Sequence, residues 1–438
     1  MVVYPVDTVE RSTVAGQKLA ITEWLLLSRT RMVYGTNQSS FSDTAALVGP
    51  GKKINVGPPV WPFHDMLCFN NEGNPYRCVA DINNNPQTIA KREWHPSSTN
   101  VVKPVESFEL NIPNLPYEAF NPGIIPYKGK YLLAFRYEKN KDTDQRLSYI
   151  GISIIDSLTT ASPNFETMNH PDSKVRESYM DLPIKVPSKK SWGKNGVNYW
   201  TQVEDPRLFL FNGAPYLLFN ETTQQFWYDK PRFQYMGKLV ETKPNRFELQ
   251  DIVKLTWKFG EDQSKVQKNW TPFVYENELY ISYSLDHHVI LKVNPTTGNC
   301  DFVASSSHAN KFWNIHYGHP AGSTPPLLFK GEQLAVLHSS AKFTANNTEK
   351  RFYINGFYTF NPKPPFEITG MMRAPIADDM LYDEGDNPRG IVFSSGLVED
   401  GDHFVILSGT DDRRISVTRI RKDSLKSDMI RVNGSQSQ

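Results

Sequence analysis

Five stretches of the chain align with one another without gaps, and this internal repeat limits the fold more than any other feature. They are NPGIIPYKGKYLLAFR (121–136), DPRLFLFNGAPYLLFN (205–220), NWTPFVYENELYISYS (269–284), STPPLLFKGEQLAVLH (323–338) and FSSGLVEDGDHFVILS (393–408). Each reads as an apolar strand, a tight turn and a second apolar strand. The turns carry Gly129, Gly213, Asn277, Gly331 and Gly401, residue types suited to the positive φ of a short hairpin loop. Successive repeats leave room for the roughly 40–50 residues of a four-stranded propeller blade. The expected fold is therefore all-β: a five-bladed β-propeller over residues 111–425, with an N-terminal extension (1–110) and a polar tail (426–438). The extension is expected to serve as a lid or an oligomer contact. One helix is expected inside it, over Val14–Met32, where the apolar residues recur at helical period.

Composition narrows the function classes. Charge nearly cancels, with 48 Lys+Arg against 47 Asp+Glu, which speaks against a nucleic-acid binder. Aromatic residues make up 12% of the chain, enough core material to exclude intrinsic disorder. No apolar run is long enough to span a membrane, and the first residues lack the basic-then-apolar order of a signal peptide. Three cysteines, Cys68, Cys78 and Cys300, lack metal-binding spacing and read as reduced thiols of a cytoplasmic protein, with a Cys68–Cys78 disulfide as the alternative. The sequons at Asn37, Asn220, Asn269, Asn346 and Asn433 are weak signs of secretion. The pairs His287-His288 and His316/His319 do not resemble a metalloprotease helix, and no P-loop, G-x-S-x-G or Rossmann fingerprint occurs. No metal and no cofactor are expected.

Blades surround a central channel, so matching repeat positions form rings around its axis. The starts of the first strands are Asn121, Asp205, Asn269, Ser323 and Phe393; the ends of the second are Arg136, Asn220, Ser284, His338 and Ser408. Because the turn lies midway, Asn121 is expected near Arg136, Asp205 near Asn220 and Ser323 near His338. Such a polar ring in an apolar sheet suits a hydroxyl-rich ligand such as a sugar. Asp205 sits in Val203-Glu-Asp-Pro-Arg207, where Pro206 is expected to hold it extended. Glu204 offers a second acid and Arg207 a fixed cation. Arg136 and Lys268 add cations that suit an anion such as phosphate. Asp411 or Asp412, past the fifth repeat, could bond sugar hydroxyls. The unassigned alternatives are solvated strand ends and an ion pair that only pins a strand.

Together these motifs resemble glycoside hydrolase family 130, the β-mannoside phosphorylases and mannosidases, and the related β-1,2-mannosyltransferases. The likeness runs over about residues 117–420. It is carried by Asn121-Pro…Arg136, by Glu204-Asp-Pro-Arg207, by Lys268-Asn-Trp, by Gly322-x-x-Pro-Pro…His338 and by Val392-Phe-x-x-Gly…Gly409-x-x-Asp412. The resemblance implies Asp205 as proton donor, acting through a sugar hydroxyl. It implies Asn121, Arg136 and Asp412 around the mannosyl ring, and Lys268 and His338 toward phosphate or acceptor; Glu204, Arg207 and Asn269 are further candidates for the substrate, and Arg232 for phosphate or acceptor. Two departures bear on phosphate use: a further basic pair after the second repeat is missing apart from Arg232, and Ser408 replaces an aromatic before Gly409. Asn121 cannot ionise, so one clear axial acid remains among several cations, whereas water-dependent glycosidases normally use two carboxylates. The expected function is an enzyme that transfers a mannosyl unit at a β-linkage using a sugar nucleotide, sugar phosphate or phosphate. The alternatives are a β-mannosidase and a glycan-binding propeller without catalysis.

Overall fold

In the repeats, apolar residues follow one another with little alternation, so both faces of each hairpin need cover. A ring of radially stacked sheets supplies it. The computed structural model describes residues 102–431 apart from 140–146, 160–162, 170–175, 185–202, 222–231, 258–267, 286, 307–312, 314–316, 346–347, 378–380, 383–389 and 426–428, together with four short strands before them. The described residues from 102 onward form an all-β, five-bladed propeller.

The first blade pairs Ala119–Tyr127, Lys130–Lys139, Leu147–Ile155 and Met180–Asp181 in that order. The second pairs Val203–Phe211, Ala214–Glu221, Phe233–Lys243 and Arg246–Lys254. The third runs Thr271–Tyr275, Glu278–Ser284, His288–Val293 and Asn299–Ser306, and Thr256–Trp257 adds a parallel edge. In the fourth, Pro320–Gly322 and Leu327–Phe329 both pair with Glu332–Ala345, followed by Thr348–Phe360 and Ile368–Met372. The fifth pairs Val392–Asp400, His403–Thr410 and Arg414–Arg421. The five hairpin residues Gly129, Gly213, Asn277, Gly331 and Gly401 all have positive φ, as their residue types led us to expect.

The sheets run past both expected limits. Glu106–Leu110, before residue 111, is the outer strand of the fifth blade, with Leu110 opposite Ile415. Met429–Arg431, beyond residue 425, edges the fourth blade against Ile368–Met372. The repeat marks only the inner hairpin of each blade; an outer strand pairs with whatever segment satisfies its exposed edge.

By contact, Met1–Glu93 with Thr344–Glu349 form one unit, and Trp94–Phe343 with Lys350–Gln438 the other. In the first, Met32–Gly35 pairs parallel with Lys52–Asn55, and Cys68–Phe69 antiparallel with Pro75–Tyr76. Cys78 lies outside the described residues. So does the helix expected over Val14–Met32, save Met32, which begins a strand. No described helix is long and apolar enough to cross a membrane.

The core lies between the blades, and strand alternation divides each hairpin's side chains between two neighbours. Leu132 and Ala134 of the first blade pack with Leu208, Leu217 and Phe219 of the second. Leu133 and Phe135, one residue out of phase, pack with Val405 and Leu407 of the fifth. Likewise Phe209, Leu218 and Met236 of the second blade meet Leu279, Ile281 and Leu291 of the third. Phe273, Val336, Leu337, Phe357 and Phe404 join the third, fourth and fifth. Fully burying a side chain of this size is worth about 1.5–3 kcal/mol. Phe219, fully buried between the first two blades, is a clean probe of this arrangement. Phe219→Ala should lower unfolding free energy by about 3–5 kcal/mol in urea titration; a loss under ~1 kcal/mol would mean that the blades close over the gap.

Candidate active site

The inner strands of the first two blades carry a β-bulge at the same repeat position. Pairing runs from Phe120–Arg136 to Gly123–Ala134, and from Glu204–Asn220 to Arg207–Leu218. The skipped residues are Asn121-Pro122 and Asp205-Pro206. Proline has no N–H for the ladder, so a bulge is where it fits in an inner strand. Asn121 and Asp205 have φ of 50° and 55°, and Asn269, at the matching place in the third blade, 65°. Asn and Asp tolerate this left-handed conformation better than other non-glycine residues. Asp205 is therefore not held extended by Pro206, as the sequence suggested. The bulge turns it out of the ladder, toward the neighbouring blade.

Glycines let those neighbours approach. A Cβ on Gly409 of the fifth blade would stand 2.5 Å from the backbone nitrogen of Asn121, and one on Gly123 2.8 Å from the carbonyl oxygen of Pro206. Asn121 thus lies between the second and fifth blades, and its Nδ2 donates to Asp205 Oδ1 at 2.9 Å. Asn220 Nδ2 donates to Asp205 Oδ2 at 3.4 Å.

Cations surround the two adjacent acids. Arg136 Nη1 is 3.3 Å from Glu204 and 3.5 Å from Asp205. Lys268 Nζ is 2.8 Å from Glu204 and 3.9 Å from Asp205. Arg232 Nη1 lies 2.8 Å from the other Glu204 oxygen. Arg136 is itself aimed by Glu138 at 2.7 Å and by Ser148, whose hydroxyl accepts from Nε at 3.0 Å. Arg207 is fully buried: Nε donates to the Ser323 carbonyl at 2.8 Å, and its guanidinium lies over the Phe393 ring. Trp270, packed against Trp257 and Tyr283, anchors the segment that carries Lys268.

These contacts set the charge states. Burial alone would raise the Asp205 carboxyl, but the positive charges of Lys268, Arg136 and Arg207 and the Asn121 amide overturn it and hold the pKa at about 2. Against the same burial, Arg136, Lys268 and Arg232 hold Glu204 below its ordinary value. Burial lowers Arg207 to about 10, still a cation at neutral pH. Burial, then the charge of Arg207, depresses His338 to about 3, so it is neutral. His338 Nδ1 lies 2.7 Å from the Ser323 hydroxyl, and its ring stacks on Tyr353.

The sequence-derived candidates thus fall into groups. Asn121, Arg136, Glu204, Asp205, Arg232 and Lys268 form one connected cluster with Asn220. Arg207, Ser323 and His338 form a second layer beneath it. Asp412 lies near enough to Arg136 to favour its charged form, whereas Asp411 is a turn residue whose carboxylate accepts from the Ile391 amide. Asn269 makes no side-chain hydrogen bond to the cluster among the described residues; its carbonyl oxygen instead faces Gly322. Ser408, where the resemblance implies an aromatic, is buried and bonds Ser394 at 2.9 Å. The stretch 222–231, where a basic pair is missing, lies outside the described residues. Two members were missed. Glu138 is two residues after Arg136, hence on the same strand face, a signal the pattern carried. Gln234, whose Nε2 donates to Asn220 Oδ1, carried no such signal. Among the described residues no group of three or more His, Cys, Asp or Glu is placed to hold a metal ion. His288 is buried, with Nδ1 2.9 Å from the Phe366 carbonyl.

No protein-family model matches the chain, and no curated protein matches it in sequence. Solved structures similar to it include a mannose phosphorylase from Leishmania mexicana in complex with phosphate ion, at 14% identity over 75% of this chain and 92% of that one, TM-score 0.43. Another is the β-1,2-mannobiose phosphorylase from Listeria innocua in complex with β-1,2-mannobiose, at 14% identity over 74% and 94%, TM-score 0.43. A third comes from the GH130 family of mannoside phosphorylases, described as containing glycoside hydrolases that target β-1,2 mannosidic linkages in Candida mannan; it is 13% identical over 70% and 85%, TM-score 0.47.

Two outcomes follow from the packing and the charge. Gly409→Ala should push Asn121 off Asp205 and cost about 1–3 kcal/mol by overpacking, read from the thermal midpoint. A variant as stable as wild type would place slack where the structure has contact. The second concerns acid. A carboxyl with folded pKa near 2 and unfolded pKa near 4 stabilises the protein fully above the unfolded value, and loses that contribution as pH falls through the folded one. Between pH 5 and 2 wild type should therefore lose roughly 2 kcal/mol more stability than Asp205→Asn. Parallel pH–stability curves would mean that Asp205 is not held as a buried anion.

Proposed function

We propose that the chain is a carbohydrate-active enzyme that transfers a mannosyl unit at a β-linkage, to or from phosphate or from a phosphorylated donor, with Asp205 as its single acid–base group. The observation that carries this reading is the pairing of one buried carboxylate, Asp205, with amides on both oxygens and with Arg136 and Lys268 alongside. Sugar type and linkage come from the resemblance in the motifs.

The charge state suggests how the group works. At neutral pH Asp205 is ionised. In the direction of synthesis, the bond from the anomeric carbon to the phosphate oxygen breaks and the bond to an acceptor oxygen forms. The acceptor's proton passes to Asp205, through a sugar hydroxyl where the resemblance holds. In reverse, Asp205 must first be protonated. An anion bound to Lys268, Arg136 and Arg232 offsets the charges that keep Asp205 ionised, and so raises its pKa toward the working pH. Phosphate would thus act as reactant and as the charge that arms the acid. His338 is neutral, so the positive charge offered to an anion comes from the lysine and the arginines. Cytoplasmic sugar phosphates or nucleotide sugars are the natural donors on this reading.

Hydrolysis remains as a second reading because Glu204, an ionised carboxylate beside Asp205, could activate water. Incubation with mannose 1-phosphate, GDP-mannose and β-mannobiose, with and without phosphate, separates the two. Transfer should require the anion, and Asp205→Asn should lower turnover by about 10²–10⁴-fold. Lys268→Ala should impair anion use more than binding of a neutral mannoside. Release of free mannose in phosphate-free buffer, unaffected by Lys268→Ala, would instead identify a mannosidase; binding without any product would identify a glycan-binding propeller.

A further inference from the structure

Asp205 is flanked by two side-chain amides, and an amide can present either a donor or an acceptor to a carboxyl group. Which end it presents decides which protonation state it favours: N–H favours the carboxylate, C=O the acid. Asn220 presents Nδ2 to Asp205, while its Oδ1 accepts from Gln234 Nε2. Gln234 is buried at 1% exposure on the third strand of the second blade, directly opposite Asn220 in the ladder. We propose that Gln234 is a positioning residue: by donating to Asn220 Oδ1 it turns the Asn220 amide so that its nitrogen faces Asp205.

The charged groups around Asp205 do not do this work. From the first blade come Arg136 and, behind it, Glu138; from its own strand Glu204 and Arg207; from the segment before the third blade Lys268; from the fourth the neutral His338; from the fifth Asp412, across Arg136. Arg232 is engaged with Glu204. Glu221 follows Asn220 but interacts with Tyr235 and Lys254. Among the described residues none of these donates to Asn220 Oδ1, so it is Gln234 that holds this oxygen away from Asp205. Glutamine suits the role because it has both a donor and an acceptor. When Asp205 gains a proton, its O–H can donate to Asn220 Oδ1, and Asn220 Nδ2 to Gln234 Oε1. The chain then reverses without leaving Asn220 stranded. Any consequence for turnover rests on the mannosyl-transfer reading; the effect on Asp205 titration does not.

The experiment follows the carboxyl carbon of Asp205 by NMR titration of the full chain, assigned by its loss in Asp205→Asn. Four proteins are compared: wild type, Gln234→Met, Asn220→Ala and the double variant. Gln234→Met should raise the Asp205 pKa by about one unit, tenfold in the protonated fraction at a given pH. In the Asn220→Ala background the same substitution should have no effect, because the relay has no middle member. No shift in the first comparison, or equal shifts in both backgrounds, would overturn the proposal. If Gln234→Met does not fold, Gln234→Glu takes its place. Its added charge acts through space in both backgrounds, so only an excess shift with Asn220 present supports the relay, and equal shifts refute it.

Discussion

A buried carboxylate has to be paired, and the inner structure of this propeller is arranged around two that stand next to each other, Glu204 and Asp205. Each would cost several kcal/mol if left alone in a low dielectric. Arg136, Arg207, Lys268 and Arg232 provide the opposite charge, and they come from the first blade, the second and the segment leading into the third. The ion pairs therefore tie separate sheets together at the point where the blades converge. They also leave every member dependent on the others. Removing one cation exposes an acid that no water can reach freely, so loss of function and loss of stability are expected to travel together here.

The backbone makes this cluster possible. A regular antiparallel hairpin would send Asp205 and Asn121 to the face of their own sheet, where apolar packing between blades dominates. The bulge at Asn121-Pro122, repeated at Asp205-Pro206, takes both residues out of register and into the left-handed region. Glycines at 123 and 409 then remove the side chains that would keep the blades apart. Residue chemistry and backbone geometry agree at one repeat position: Asn and Asp tolerate the conformation, Pro needs no ladder bond, and the carboxylate ends beside its donors.

Charge state separates groups that look alike on paper. Arg136 and His338 hold the same place in their repeats, yet one is a cation and the other neutral. Arg136 is stabilised as a cation by Glu204, Asp205, Glu138 and Asp412. His338 has Arg207 beside it and little solvent, so burial and the neighbouring cation keep it unprotonated. The cations of this cluster are thus lysine and arginine, not imidazolium.

Much of this was determined by the sequence alone. The gapless repeat specified five inner hairpins, their turn residues and the ring of polar side chains, because strand period and turn chemistry are local properties. Asn121, Arg136, Glu204, Asp205, Lys268 and Arg232 were legible as candidates, and the fold brings them into one cluster, since each sits at or beside a repeat end, or in a motif with a known likeness. Other features only the tertiary structure decided. Asp205 turns left-handed instead of staying extended because a bulge depends on what pairs with the strand, which the dipeptide Asp-Pro does not encode. Glu106–Leu110 closes the fifth blade because a sheet edge accepts any strand the chain brings near it. His338 is neutral because the fold buries it and sets it beside Arg207, 131 residues away in sequence. Gln234 joins the site through the ladder position opposite Asn220, a contact made by register across a hairpin whose connecting residues carry no sign of it.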